Sequence, residues 1–221
     1  MMGKLILVRH GQTVSNVAKK LDTAPPGAEL TELGHRQAEA YAQTRLGNPP
    51  AVLVSSIALR AKQTAGYVER GTGVPLVVTD GIQETSAGEL EDRDDPEAHR
   101  LFTEIFYRWH TGDLDAAAPG GESGRAVLAR YVPVLDELRG QYLGDDTAGD
   151  VVVVSHGAAI RLVAAALTGV DGTFAADNHL DNTQTIELLP LLDGGWACAK
   201  WGTFLPPFEG KGSDKADNPI S

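Results

Sequence analysis

Leu5-Ile6-Leu7-Val8-Arg9-His10-Gly11, close to the amino end, is the stretch whose reading decides the fold. Four apolar residues are closed by one polar residue and then by His-Gly. The same pattern returns far along the chain as Val151-Val152-Val153-Val154-Ser155-His156-Gly157. A helical pattern follows each, over Thr13 to Lys20 and over Ala158 to Leu167. Both runs read as buried strands, because a sheet covered on two faces makes its strands continuously apolar. In open parallel sheets ligands bind at the carboxyl ends of strands. Each histidine would stand there, beside a helix start whose free amides favour anions. Glycine after each lets the backbone approach a ligand closely. One strand-end histidine is more often structural than catalytic; two in matching contexts reverse that and point to a shared site.

Working outward, Ala51–Val54, Leu76–Val78 and Thr185–Leu189 read as further strands, with Pro75 just before the short third run. Helical patterns cover Gly34 to Leu46, Leu59 to Arg70 and Val127 to Leu138, the last expected to kink or break at Pro133. Gly144–Asp150 is a turn region. Strands alternating with helices predict an α/β three-layer sandwich, a mostly parallel central sheet with helices on both faces. One domain is expected over 1–205. Residues 85–122 interrupt the alternation, acidic at first (Glu89, Glu91, Asp92, Asp94, Asp95) and then aromatic (Phe102, Phe106, Tyr107, Trp109). This segment reads either as a lid over one sheet edge or as an ordinary surface helix with a solvated acidic face. Residues 206–221, polar and rich in Pro and Gly, read as a flexible tail.

Of the 221 residues, 42% are apolar, which fits one ordinary core, and no run approaches a membrane span. The run Leu5–Val8 is shorter than a secretory core segment, so a cytoplasmic location is expected. A net charge of −11 argues against nucleic-acid and membrane partners. It also means that a phosphate site must gather its few cations locally. Cys198, the sole cysteine, lies in an alternating strand-like stretch and reads as structural.

Arg60 lies just past the second strand and Glu84 a short turn past the third, so Arg9, His10, Arg60, Glu84 and His156 can converge on one sheet edge. By spacing alone, Arg60 could equally be a helix-surface cation and Glu84 a solvated loop carboxylate.

Leu7-Val8-Arg9-His10-Gly11-Gln12-Thr13, with Asn16, resembles the signature of the histidine phosphatase superfamily, the phosphoglycerate mutase-like family. The likeness continues through Leu30-Thr31-Glu32-Leu33-Gly34-His35-Arg36-Gln37-Ala38, Ser55-Ser56 to Leu59-Arg60-Ala61 with Gln63-Thr64-Ala65, Gln83-Glu84 to Gly88, Gly121-Glu122-Ser123 and Val154-Ser155-His156-Gly157, in family order. The resemblance implies a phosphatase acting on a small-molecule phosphate ester without metal or other cofactor. In it His10 is the nucleophile, which suits a side chain with a free lone pair near neutral pH. Arg9, Arg60 and His156 would stabilise the phosphoryl oxygens. Gly11, Asn16 and Gly157 would complete the phosphate site, and Glu84 would be the proton donor. A homodimer is compatible with the family.

Four other readings stand beside it. A phosphoglycerate mutase would pass the phosphoryl group back to a bound acid. The arginine-rich run that such mutases carry after the acid position is replaced here by acidic residues, with Arg93, Arg100 and Arg108 scattered. A catalytically silent phosphate-binding protein would have lost part of the set, and all five members are present. A serine hydrolase on Ser155 or Ser123 lacks a Gly-x-Ser-x-Gly elbow, and a metal centre on His10, His156 and Glu84 would be opposed by the flanking arginines. The acidic start of 85–122 disfavours polyanionic substrates, and its aromatic residues Phe102, Phe106 and Trp109 suggest an apolar or ring-bearing leaving group. His35, His99, His110 and His179 read as surface or packing residues, with His110 and His179 within reach of substrate; Asn182 and Thr183 precede a strand and could approach the pocket.

Overall fold

The computed structural model describes residues 3–144 and 149–209 and places the two matching strands at the centre of one sheet. β1 (Leu5–Arg9) and β4 (Val151–Ser155) run parallel, with Arg9 opposite Ser155. β2 (Val52–Ser56) pairs parallel with β4, and β3 (Leu76–Thr79) parallel with β2. On the other side β5 (Thr185–Pro190) is antiparallel to β1, and β6 (Trp196–Trp201) antiparallel to β5. The order is β3-β2-β4-β1-β5-β6, so five of the six strands point one way and β5 alone is reversed. The mixed, mainly parallel α/β sheet agrees with the sequence reading.

Alternation along the central strands builds the two outer layers. Leu5, Leu7, Val151 and Val153 face α5 (Gly124–Tyr142) and α6 (Gly157–Thr168), packing with Val127, Tyr131, Leu135, Ile160 and Val163. Ile6, Val8, Val152 and Val154 face α2 (Glu32–Gln43) and α3 (Leu59–Thr72), packing with Tyr41, Ala42, Ala61, Ala65 and Val68. Each buried valine of β4 contributes roughly 1.5–3 kcal/mol of apolar burial, which is why four in a row pin this strand at the centre. Two further helices, α4 (Pro96–His110) and α7 (Gly172–Asp177), contact each other and α6 near the carboxyl ends of the strands.

Local structure departs from the sequence reading at four places. The helix expected over Thr13 to Lys20 is a single turn, α1 (Val14–Val17), closed at Lys19 by left-handed backbone (φ 55°). α5 runs unbroken through Pro133, which deprives only the Ala129 carbonyl of its donor. α7 was not anticipated; it is one short turn and a half, capped by the Asp171 carboxylate. Within 85–122 lie a 3-10 turn, Gly88–Leu90, and α4, held by a small separate cluster of Leu21, Ala87, Leu90, Ala98 and Ala118. Of the expected tail, Phe208 packs against Phe174 at 5.4 Å between ring centres, and 210–221 lie outside the described residues. The Gly144–Asp150 turn also lies partly outside them. Among the described residues no helix is long and apolar enough to cross a membrane.

Candidate active site

β1 delivers Arg9 as its last residue and His10 as the next, where the chain leaves the sheet. The exit is fixed by backbone bonds, His10 N–H to Ser155 O at 3.0 Å and Thr183 N–H to Arg9 O at 3.0 Å. Asn182 Nδ2 donates to the His10 carbonyl at 3.1 Å, and Gly11 N–H donates to Thr64 Oγ1 at 3.0 Å. The Leu-Thr-x-x-Gly stretch acts here: a Cβ on Gly34 would stand 2.0 Å from the Gln12 carbonyl oxygen, so only glycine lets α2 pack against the loop behind His10.

His10 is nearly buried, and its Nδ1 lies 2.7 Å from the Gly11 carbonyl. A carbonyl can only accept, so Nδ1 carries the proton and Nε2 keeps the lone pair. Burial first, then Arg60 and Arg9, hold this imidazole well below the ordinary histidine range. His10 is therefore neutral at pH 7, the state in which an imidazole can act as a nucleophile.

β4 delivers His156, fully buried, with its ring centre 5.3 Å from that of His10. Its Nδ1 accepts from Arg60 Nε at 3.3 Å, which leaves Nε2 protonated and donating to Ser56 Oγ at 2.9 Å. Burial, then Arg60 and His10, keep it neutral too. The ring lies behind His10 and Arg60 and does not line the cavity.

Arg60 opens α3 and is 2% exposed. Nη2 donates to the Asp22 carbonyl at 3.1 Å and Nη1 lies 3.6 Å from Asp22 Oδ1, beyond hydrogen-bond reach, so that Nη1 is a buried donor without a partner. Such a group is costly unless a ligand satisfies it. Arg9 Nη1 donates to the Leu180 carbonyl at 2.5 Å, and its chain lies across Gly157, where a Cβ would come within 3.2 Å of Arg9 Cδ.

Glu84 follows β3 and caps α6. Its Oε1 accepts from Thr85 N–H and Ala159 N–H, both at 2.9 Å, and Oε2 from Ala158 N–H at 3.1 Å. Arg130 of α5 steadies this loop, donating to the carbonyls of Gly81, Gln83 and Glu84 and pairing with Glu122.

A cavity of about 450 Å³ opens onto the cluster. Of the sequence-expected site residues, Arg9, His10, Asn16, Arg60, Glu84 and Gly157 line it. Gly11 and His156 support them from behind. The reading also missed Arg161, Asp22, Lys20 and His99 as lining residues, while His179, flagged as within reach, is there. Arg161 was visible as the one charge in the apolar run Ala158 to Ala166, but its place depends on α7.

Two substrate arguments change. Trp109 is outside the cavity, packed on Gly124 with its indole N–H on the Ala116 carbonyl; Phe102, Phe106 and Tyr107 do line it. The acidic residues are turned to structure: Glu91 accepts from Thr23 and Ala24, and Asp95 caps α4 and pairs with Arg93. None of Glu89, Glu91, Asp92, Asp94 and Asp95 lines the cavity. Ser155 Oγ donates to the Ile82 carbonyl and Ser123 caps α5, which leaves neither as a nucleophile. Among the described residues no group of three His, Cys, Asp or Glu side chains is placed to hold a metal ion.

The family model described as histidine phosphatase superfamily (branch 1) matches residues 5–203. Glucosyl-3-phosphoglycerate phosphatase of Mycobacterium tuberculosis is 34% identical over 74% of this chain and 74% of its own. The 2,3-bisphosphoglycerate-dependent phosphoglycerate mutase of Chelativorans sp. is 33% identical over 78% and 84%. Among solved structures, mycobacterial glucosyl-3-phosphoglycerate phosphatase in complex with inorganic phosphate is 28% identical, covering 90% of this chain and 97% of that one, with a TM-score of 0.74.

Proposed function

Because the chain belongs to the histidine phosphatase superfamily, branch 1, we propose that it hydrolyses a small-molecule phosphate monoester through a phosphohistidine on His10, with no metal. The observation that supports this most is the tautomer of His10: Nδ1–H is held by the Gly11 carbonyl, and a free Nε2 stands near Arg9 and the buried Arg60.

In this reading the ester's phosphoryl oxygens take the donors of Arg9 and Arg60, satisfying the orphan Nη1 of Arg60. His10 Nε2 attacks phosphorus as the ester P–O bond breaks, and Glu84 gives its proton to the leaving oxygen. Oε2, with a single partner, is the atom to hold that proton. Water then attacks the phosphohistidine, Glu84 takes a proton from it, and the N–P bond breaks to release phosphate. Atoms balance as ester plus water to alcohol plus phosphate. Arg9 and Arg60 act on charge developing in the transition state, where removing one such donor costs about 10²–10³ in rate. His156 holds Arg60 by its Nδ1 and is itself neutral, so it adds no competing cation.

A mutase reading draws on the 33% identical relative of that name. It is disfavoured because the residues after Glu84 are acidic and serve the loop rather than a bound acid. The reading includes a cytoplasmic setting, in keeping with a lone free thiol, and a homodimer, which sedimentation velocity decides. The test of function is phosphate release from a panel of esters in the presence of chelator, for the parent and His10→Ala. Release by the parent alone supports it; fast interconversion of 2- and 3-phosphoglycerate with little phosphate released overturns it.

A further inference from the structure

Arg161 is 5% exposed and lines the cavity that holds His10. Every contact it makes is with neutral groups. Nε donates to the Gly157 carbonyl at 3.3 Å, and Nη1 to the carbonyls of Ala175 at 3.1 Å and Ala176 at 3.0 Å. The guanidinium lies 4.2 Å from the centre of the Phe106 ring. Nη2 has no hydrogen-bond partner among the described residues. No carboxylate there lies within ion-pair distance of it, whereas Asp22 stands beside Arg60.

A buried cation that is fixed on one side and open on the other is costly without a counter-charge. The neighbouring acid, Glu84, has both oxygens engaged by backbone N–H groups. The nearby imidazoles cannot help. Burial and then Arg161 lower His110 to about 4, and burial, Arg161 and Arg9 lower His179. Burial pushes Arg161 itself down to about 10, still charged at neutral pH. Arg9 and Arg60 stand at the phosphoryl dianion, and Lys20 at the rim is exposed, so a further buried cation in the same cavity has no work in the hydrolysis of an ester whose phosphoryl group is its only anion. Three carbonyls and an aromatic face hold it rigid, with one donor edge presented to the cavity. Such preorganisation lowers the cost of a specific anion contact.

We propose that Arg161 Nη2 receives a second anionic group of the substrate, a carboxylate or phosphate carried by the leaving group, while the reacting phosphoryl group lies at His10. The assignment of the first anion rests on the phosphatase reading; the presence of a second anion site does not need turnover.

Binding of three ligands to the His10→Ala protein tests it by calorimetry: sn-glycerol 3-phosphate, 3-phosphoglycerate and glycerol 1,3-bisphosphate. The second carries a carboxylate where the first has a hydroxymethyl group, and the third carries a phosphate on that hydroxymethyl group. At least one is expected to bind about tenfold or more tightly than glycerol 3-phosphate, worth about 1.4 kcal/mol, and the larger gain names the anion. In His10→Ala/Arg161→Gln the ratio should collapse towards one. Equal binding of all three, or a ratio that survives Arg161→Gln, overturns the proposal. So does equal weakening of all three, which would give Arg161 to the phosphoryl group or to the fold. If Arg161→Gln does not fold, Arg161→Lys decides, since it keeps the charge and loses the fixed fork. A reduced ratio supports the site, and an unchanged ratio overturns it. Failure of the phosphatase reading would show separately, as a parent protein that releases no phosphate.

Discussion

Arg60 Nε donates to His156 Nδ1 at 3.3 Å, and this one bond sets the state of both residues. It orients the guanidinium and forces the His156 proton onto Nε2, where Ser56 Oγ accepts it at 2.9 Å. His156→Asn keeps a polar group but not this geometry. It should lower kcat by about 10²-fold or more, the cost of misplacing one oxyanion donor. Steady-state kinetics check it. An unchanged kcat would mean that Arg60 needs no support from His156.

Glu84 is both a helix cap and the proposed proton donor, and the two roles separate by leaving group. Glu84→Gln should cost about 10²–10⁴ in kcat on alkyl phosphates, the range of general acid catalysis, and far less on p-nitrophenyl phosphate, whose leaving group needs no proton. Equal losses on both would assign Glu84 to structure alone. Glu84→Ala should also lower stability by about 0.5–2 kcal/mol, the usual cost of a lost cap.

Acid should destabilise the fold through its buried histidines. His10 and His156 are held below the ordinary range, chiefly by burial, and His110 at about 4. Below about pH 6.5 the unfolded chain therefore binds more protons than the native one. Stability is full above that pH and falls as the pH drops, for His110 down to about 4. Each such histidine contributes a slope of up to about 1.4 kcal/mol per pH unit. Thermal midpoints should be flat above pH 7 and fall steadily towards pH 5, and His110→Gln should reduce the slope by about one proton. A midpoint that does not change between pH 7 and 5 would contradict this.

Gly157→Ala should displace Arg9, because the added methyl meets Arg9 Cδ at 3.2 Å and Nε at 3.3 Å. The expected result is about a tenfold or greater loss in kcat/KM, since small misplacements of a reacting geometry are expensive, with a near-parental melting curve. Full activity would show that Arg9 can move without consequence.

The central features were legible because they are local. His10 and His156 each follow a short apolar run and precede glycine, so the strand end is written within seven residues. Arg60 and Glu84 also lie just after strands, and the sheet's parallel run brings all four ends together. What sequence did not disclose depends on contacts across the chain. Arg161 becomes a cavity residue only because α7 returns to offer the carbonyls of Ala175 and Ala176. Arg130 steadies Glu84 from a helix nearly fifty residues later. Glu91 and Asp95 looked like a repelling acidic face, yet their oxygens are taken by the Thr23 and Ala98 backbone. His99 reaches the cavity mouth because its Nε2 donates to the Lys19 carbonyl at 2.6 Å, a loop bent by the left-handed residue there.

The most direct measurement is to catch the intermediate. The parent is mixed with a rapidly turned-over ester, quenched in alkali within milliseconds, and digested for peptide mass spectrometry. The account predicts one added phosphoryl group on His10, stable to alkali and lost in acid, and none in His10→Ala, which should release no phosphate. Phosphate release by His10→Ala at the parental rate, or the phosphoryl group on any other residue, would contradict it.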